Sequence, residues 1–347
     1  MALFGKRQPD PTGDPKPFWQ WWTSEGAAAC EAAIEARSFE GLSDELTDRV
    51  HAIHNELVWE LGSGVESEHQ LIVTAEGDPE ARAFARRWLR AAPPRSEVWE
   101  YGDSRRPDPG VDGIVLQLDD TEIDFGSVRV AGERVGNHVD VRVHHPAMPT
   151  LTEQLRNTVM FLALDSALGE SDCETWIGSV EAVVETPPEG EEWGTLGDLR
   201  ALVEEVRDDS LNEDGDPVWV LLRGDAGGTP VMAAAQVPLA GSWAPDLDLH
   251  LAVSVPYRDA TDQGLPKPET LDSLRALEDH LSARLGTSGR LVAHETTGGV
   301  RTLHYYADST TPARGVVEGA VTGWGQGDVE VSAQPDPGWH AVRHLRT

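Results

Sequence analysis

The sequence predicts an α+β protein made of two two-layer sandwich domains, the C-terminal one with a ferredoxin-like β-α-β-β-α-β order. Three observations lead there. Apolar residues recur at helical spacing in some segments and alternate with polar ones in others, so helices and strands are interleaved. At 347 residues the chain exceeds what one hydrophobic core usually supports. An acidic run from Asp208 to Asp216 then interrupts the periodic pattern and offers a boundary.

The elements follow in order. Residues 1–16, rich in Pro, Gly and charge, read as a disordered leader. Phe18, Trp19, Trp21 and Trp22 lead into a helix capped by Thr23 or Ser24 and running to about Ala36. Ser43 starts a second helix, and the period of Leu46, Val50, Ile53, Leu57 and Leu61 predicts one buried face. Residues 69–74 alternate as a strand, and Pro79 opens a helix with Phe84, Trp88 and Leu89 on one side. Strands are predicted at 98–101, 113–118, 127–130 and 139–143. Thr150 caps a helix to Leu168, residues 176–184 form a strand, and 196–206 form a helix. Residues 17–207 thus make the N-terminal α+β domain, 208–216 an acidic linker, and 217–347 the C-terminal domain.

In that last domain strands are predicted at 218–223, 231–237 and 247–255. Pro268 opens a helix with Leu271, Leu274, Leu277 and Leu281 on one face. Residues 291–296 and 301–307 alternate across a hairpin at Gly298-Gly299, whose glycines supply positive φ. A short helix from Pro312 to about Val321 and a strand at 329–331 complete the order.

Charge narrows the function classes. Lys and Arg number 28 against 60 Asp and Glu, a net −32, which repels phosphate backbones and anionic membrane surfaces. No apolar run approaches the ~20 residues needed to span a bilayer, and no apolar segment follows Lys6 and Arg7, so a cytoplasmic location is expected. The acidity serves solubility, or complements a basic protein partner. Cys30 and Cys173 are the only cysteines and read as buried thiols.

Motifs for chemistry fail on spacing. Setting Gly215 at the invariant glycine of a calcium loop puts Ser210 and Leu221 at positions that need acidic ligands. His51 and His54 sit one helical turn apart but lack a third ligand of known spacing. His144 and His145 point to opposite faces and read as surface histidines, like His138. Gly323 to Gly327 follows a helix and precedes a strand, the reverse of a dinucleotide fingerprint. Glu278 and Asp279 diverge by ~100° around a helix, so one of them faces Arg301 in a structural pair. No cofactor or metal is expected. Of twelve tryptophans, Trp243, Trp324 and Trp339 fall in turns, where large aromatics suit a partner surface.

Gly264-Leu265-Pro266, Leu277-Glu278-Asp279, Gly298-Gly299-Val300-Arg301, His304-Tyr305-Tyr306-Ala307 and Gly338-Trp339 together resemble a bacterial family, domain of unknown function 695. The resemblance covers about 215–345 and supports the fold, and it carries over no functional residue. The expected activity is therefore non-enzymatic: a regulator or inhibitor acting by protein contact. An enzyme using His144 or His304 with carboxylates in an interdomain cleft is the alternative, and an acidic immunity-type protein blocking a basic toxin is a third. Convergence of His304, Tyr306 and Glu278 on one pocket is the structural test of the enzyme reading.

Overall fold

The computed structural model describes residues 13–118, 120–187 and 192–346, and the chain divides into two units at Arg105/Arg106. Most of the expected leader, residues 1–12, lies outside the described residues. Its last residues are already part of the fold, because Gly13 N–H donates to the Ile53 carbonyl and Lys16 opens a helix.

In the first unit, α1 (Lys16–Trp21) passes through a π-helical turn (Trp22–Gly26) into α2 (Ala27–Ala36). Thr23 and Ser24 do not cap it. Their hydroxyls donate back to the Trp19 and Trp21 carbonyls at 2.8 and 3.1 Å, a bond short polar side chains make inside helices. Next come α3 (Leu42–His51), β1 (Val58–Ser63), β2 (His69–Thr74), α4 (Pro79–Arg90) and β3 (Trp99–Gly102). Leu61 thus lies on a strand rather than on the second helix: Ile53 and Leu57 stay buried through a turn, which prolongs the apparent helical period. The sheet order is β1-β2-β3, with α4 crossing between the parallel pair β2 and β3. Phe18, Trp19, Trp22, Trp88 and Trp99 build the core, Trp19 stacking on Trp88 at 4.6 Å.

The second unit begins with two small sheets. One pairs β4 (Val115–Leu118) with β5 (Thr121–Asp124); the other orders β6 (Arg129–Val135), β7 (His138–His144) and β8 (Ile177–Ala182). Three helices accompany them: α5 (Glu153–Leu168), α6 (Glu170–Trp176) and α7 (Leu196–Asp209). Thr152, not Thr150, caps α5 by accepting the Leu155 amide. Trp176 ends α6 instead of starting the strand, and its indole is fully buried. The segment expected as one N-terminal domain therefore carries two separate cores, one before Arg105 and one after it. The acidic run is not an open linker. Helix α7 extends through Asp209, Leu211 bridges Pro217, and Asn212 Oδ1 accepts the Asp214 and Asp216 amides at 3.0 and 2.9 Å.

From Pro217 on the chain forms β9 (Val218–Ala226), β10 (Thr229–Val237), β11 (Leu249–Pro256), α8 (Pro268–Leu285), β12 (Gly289–Thr297), β13 (Val300–Ala307), α9 (Ala313–Ala320) and β14 (Glu330–Pro335). All six strands join one antiparallel sheet in the order β14-β11-β13-β12-β10-β9. Leu251, Val253, Val255, Leu303 and Tyr305 meet α8 and α9 on one face. The other face packs Ala233, Ala235, Ala293 and Tyr306 against Leu239, Leu247 and a C-terminal 3-10 turn (His340–Leu345). Both faces of this sheet are thus partly covered, and each carries a polar cluster.

Candidate functional site

On the helix-covered face, period two along β13 turns Arg301, Leu303 and Tyr305 toward α8. Arg301 Nη1 donates to Glu278 Oε1 at 2.8 Å, and its Nε donates to Thr296 Oγ1 at 2.9 Å. Asp279, one residue on, is exposed. Burial raises Glu278 above the usual carboxylate range, a push that Arg301 only partly offsets. His294 Nδ1 lies 3.5 Å from the same carboxylate without a hydrogen bond, and burial holds the ring down at about 4. The Tyr305 hydroxyl donates to the Glu278 carbonyl at 3.0 Å.

On the opposite face, His250 pairs in register with Tyr306, and His304 stands two residues along the same strand. His250 Nε2 meets His304 Nδ1 at 3.0 Å, His304 Nε2 meets Glu295 Oε1 at 3.1 Å, and His344 Nε2 meets that same oxygen at 2.9 Å. Tautomers follow from the acceptor. A carboxylate fixes the proton on His304 Nε2, so His304 Nδ1 accepts and His250 Nε2–H donates. The bond from His304 is the main reason Glu295 is held down at about 2. Burial, then the neighbouring His304, holds His250 at about 4. Beside this chain the Tyr306 hydroxyl donates to Asp336 Oδ2 at 2.5 Å, and Asp336 also accepts the His340 and Ala341 amides. Burial pushes Asp336 up, but these donors outweigh it and its carboxyl sits below the usual range.

His304, Tyr306 and Glu278 do not converge. His304 and Tyr306 share one face and are buried, while the half-buried Glu278 serves the other. His144, the other histidine of the enzyme reading, is also buried, its Nδ1 on the Val183 carbonyl at 2.9 Å. His145 is buried as well, with Nε2 on the Asp124 carbonyl at 3.2 Å, so neither is a surface histidine. His54, weighed as half a metal site, stacks on Phe84 at 4.6 Å.

The three turn tryptophans have separate surroundings. Trp339 is 0% exposed, stacks on Tyr306 at 4.4 Å and donates Nε1–H to the Leu247 carbonyl at 2.9 Å. It is core, because the C-terminal turn folds its indole onto the sheet. Trp243 is half-buried against Trp176 at 6.2 Å, edge to face. Trp324 is half-buried and donates to the Pro256 carbonyl at 2.7 Å, lining a cavity of about 400 Å³ with Glu318, Asp328 and Val331. In the first unit a larger groove of about 910 Å³ is lined by Ile34, Phe39, Trp59, Leu61, Arg37 and His69, none of them expected as site residues.

Gly264 meets Gly298 and Gly299, while Leu265 and Pro266 bond within their own turn, to the Thr261 amide and across the Ala260 bridge. Gly299 N–H donates to the Gly264 carbonyl at 2.9 Å, and the Tyr257 hydroxyl donates to the same oxygen at 2.7 Å. A Cβ at Gly264, whose φ is +76°, would lie 3.0 Å from the Gly298 Cα. The two glycine turns therefore lock the β11–α8 connection onto the β12–β13 hairpin.

Within the C-terminal sheet, the exposed large apolar side chains among the described residues lie on β9. Trp219 is 45% exposed and Leu221 80%, on the face where Gln236 lies opposite Trp219 in register. That glutamine is 2% exposed and its amide Nε2 has no hydrogen-bond partner among the described residues. Periodicity in the sequence places the strand, and its edge position follows only from the sheet order.

The C-terminal half is thus an α+β module in which His250, His304, Glu295 and His344, Tyr306 and Asp336, and Arg301 and Glu278 are bonded to one another. Residues 219–344 match the model of a family of unknown function, DUF695, with an N-terminal region outside the match. No curated protein and no solved structure matches the chain.

Proposed function

We propose that the chain is a non-enzymatic protein-binding regulator or inhibitor, acting in the cytoplasm on a basic partner. The observation that carries this reading is the internal spending of its chemistry. His250, His304, Tyr305, Tyr306, Glu278 and Asp336 of the C-terminal module are each hydrogen-bonded to a neighbour within the fold. A general acid or base needs reach to a substrate proton, which these groups lack. What faces outward is instead negative charge, on a chain of net −32.

Residues 217–346 are read as the module that carries this role, on a ferredoxin-like β-α-β-β-α-β scaffold. Supporting that scaffold, β14-β11-β13-β12 run as fourth, first, third and second strand of the motif, with the β9–β10 hairpin added beside β12. Affinity purification from the native cell with intact-mass measurement tests the function. A stoichiometric basic protein is the expected companion. A small molecule carried in its place contradicts the reading.

A further inference from the structure

Strand β9 is nine residues long, ends the sheet, and keeps unbroken register with β10 over nine pairs. Sheets normally blunt such an edge with Pro, Lys, a bulge or brevity, because its outer backbone groups template another strand. From Val218 to Ala226 there is neither Pro nor Lys and no bulge, and the two charged residues, Arg223 and Asp225, fall in the half next to the hairpin, leaving 218–222 uncharged. The opposite edge is protected in the usual way: β14 is six residues, starts on Glu330 and ends on Pro335. The open edge also displays Trp219 and Leu221 on one face.

The turn leading into β9 sets the charge. Asp208 and Asp209 are shared with Arg207 and Arg134, whereas the exposed Glu213, Asp214 and Asp216 carboxylates have no ion pair among the described residues. Asn212 holds their backbone in place through its side-chain oxygen. At the far end Asp225 is exposed too, its Oδ1 accepting the Gly228 amide at 2.7 Å. A second copy pairing antiparallel along β9 would set the turn carboxylates of each chain against the other's Asp225. Like charges at that spacing repel, which disfavours self-pairing.

We infer that β9 receives an extended segment of a partner protein, carrying alternating apolar and Lys or Arg side chains, as a seventh strand of the sheet. This rests on the protein-binding reading and names where and what it binds. Backbone pairing supplies affinity, Trp219 and Leu221 take the apolar side chains, and the acidic turn selects basic ones.

The test is calorimetric titration of the full chain with an end-blocked ten-residue peptide alternating Lys and Val, against one alternating Glu and Val. Binding of the Lys peptide alone is expected, at least tenfold weaker to Leu221→Asp. The triple variant Glu213→Gln, Asp214→Asn, Asp216→Asn, which leaves the strand untouched, is expected to bind more weakly and with less salt dependence. Equal binding to all three chains, or to both peptides, overturns the inference, as does dimerisation of the free chain that Leu221→Asp abolishes. Retention of a native basic partner by Leu221→Asp removes the edge assignment while leaving the binding-protein reading intact. Absence of any native partner removes that reading instead.

Discussion

Arg301 and Glu278 show what a buried pair does in this fold. Removing the cation strands a carboxylate that burial already disfavours, so Arg301→Ala is expected to lower the unfolding free energy by roughly 3–5 kcal/mol. Adding Glu278→Gln should restore part of it, and urea unfolding of the single and double variants checks both. The histidines set a pH dependence. His250 and His294, near 6.5 when unfolded, are held at about 4 in the folded chain, so the unfolded state takes up protons first on acidification. Their contribution is fully present above 6.5 and is lost as pH falls toward 4. Glu295, held at about 2, adds a further loss below its ordinary 4.5. Urea midpoints should therefore fall steadily from pH 7 to 4, by a few kcal/mol in free energy, and His250→Asn should flatten that slope. A flat profile in the unaltered chain contradicts the assignment. The Arg301 tether was legible in the sequence, since a helical carboxylate pair must send one member inward. The His250–His304–Glu295–His344 chain was not, because alternation assigns a face but not a neighbour: strand register joins the first three, and the C-terminal turn brings in His344.

At the scale of elements, the docking of one glycine turn on another makes a sharp prediction. Gly264→Ala puts a side chain at positive φ and against Gly298, and should cost more than about 1 kcal/mol, whereas Asp262→Ala in the same exposed turn should be nearly neutral. Thermal unfolding of both variants decides it. Helix α8 was legible from its leucines and its opening proline, because a long amphipathic pattern has one solution. Strand β1 was not, since Trp59 and Leu61 continue the spacing of α3 by coincidence of a short turn. Likewise the acidic run reads as a linker by composition, yet Asn212 closes it into a turn.

For the whole molecule, the stretch expected as one N-terminal domain holds two separate cores, one on each side of Arg105, because local periodicity does not say which apolar faces meet. Net charge acts at this scale as well. A chain at −32 repels itself when compact, and screening at a Debye length of about 3 Å in 1 M salt removes most of that penalty. The melting temperature is expected to rise between 0.01 and 1 M sodium chloride, by roughly what one added kcal/mol gives. A fall would indicate that attractive pairs outweigh the excess negative charge. The same field draws a basic strand toward the acidic turn and β9. Amide hydrogen exchange on the full chain, with and without the Lys–Val peptide, reads that encounter most directly. Protection concentrated in residues 218–226, and absent in Leu221→Asp, is the predicted result; protection elsewhere, with β9 exchanging as in the free chain, contradicts it.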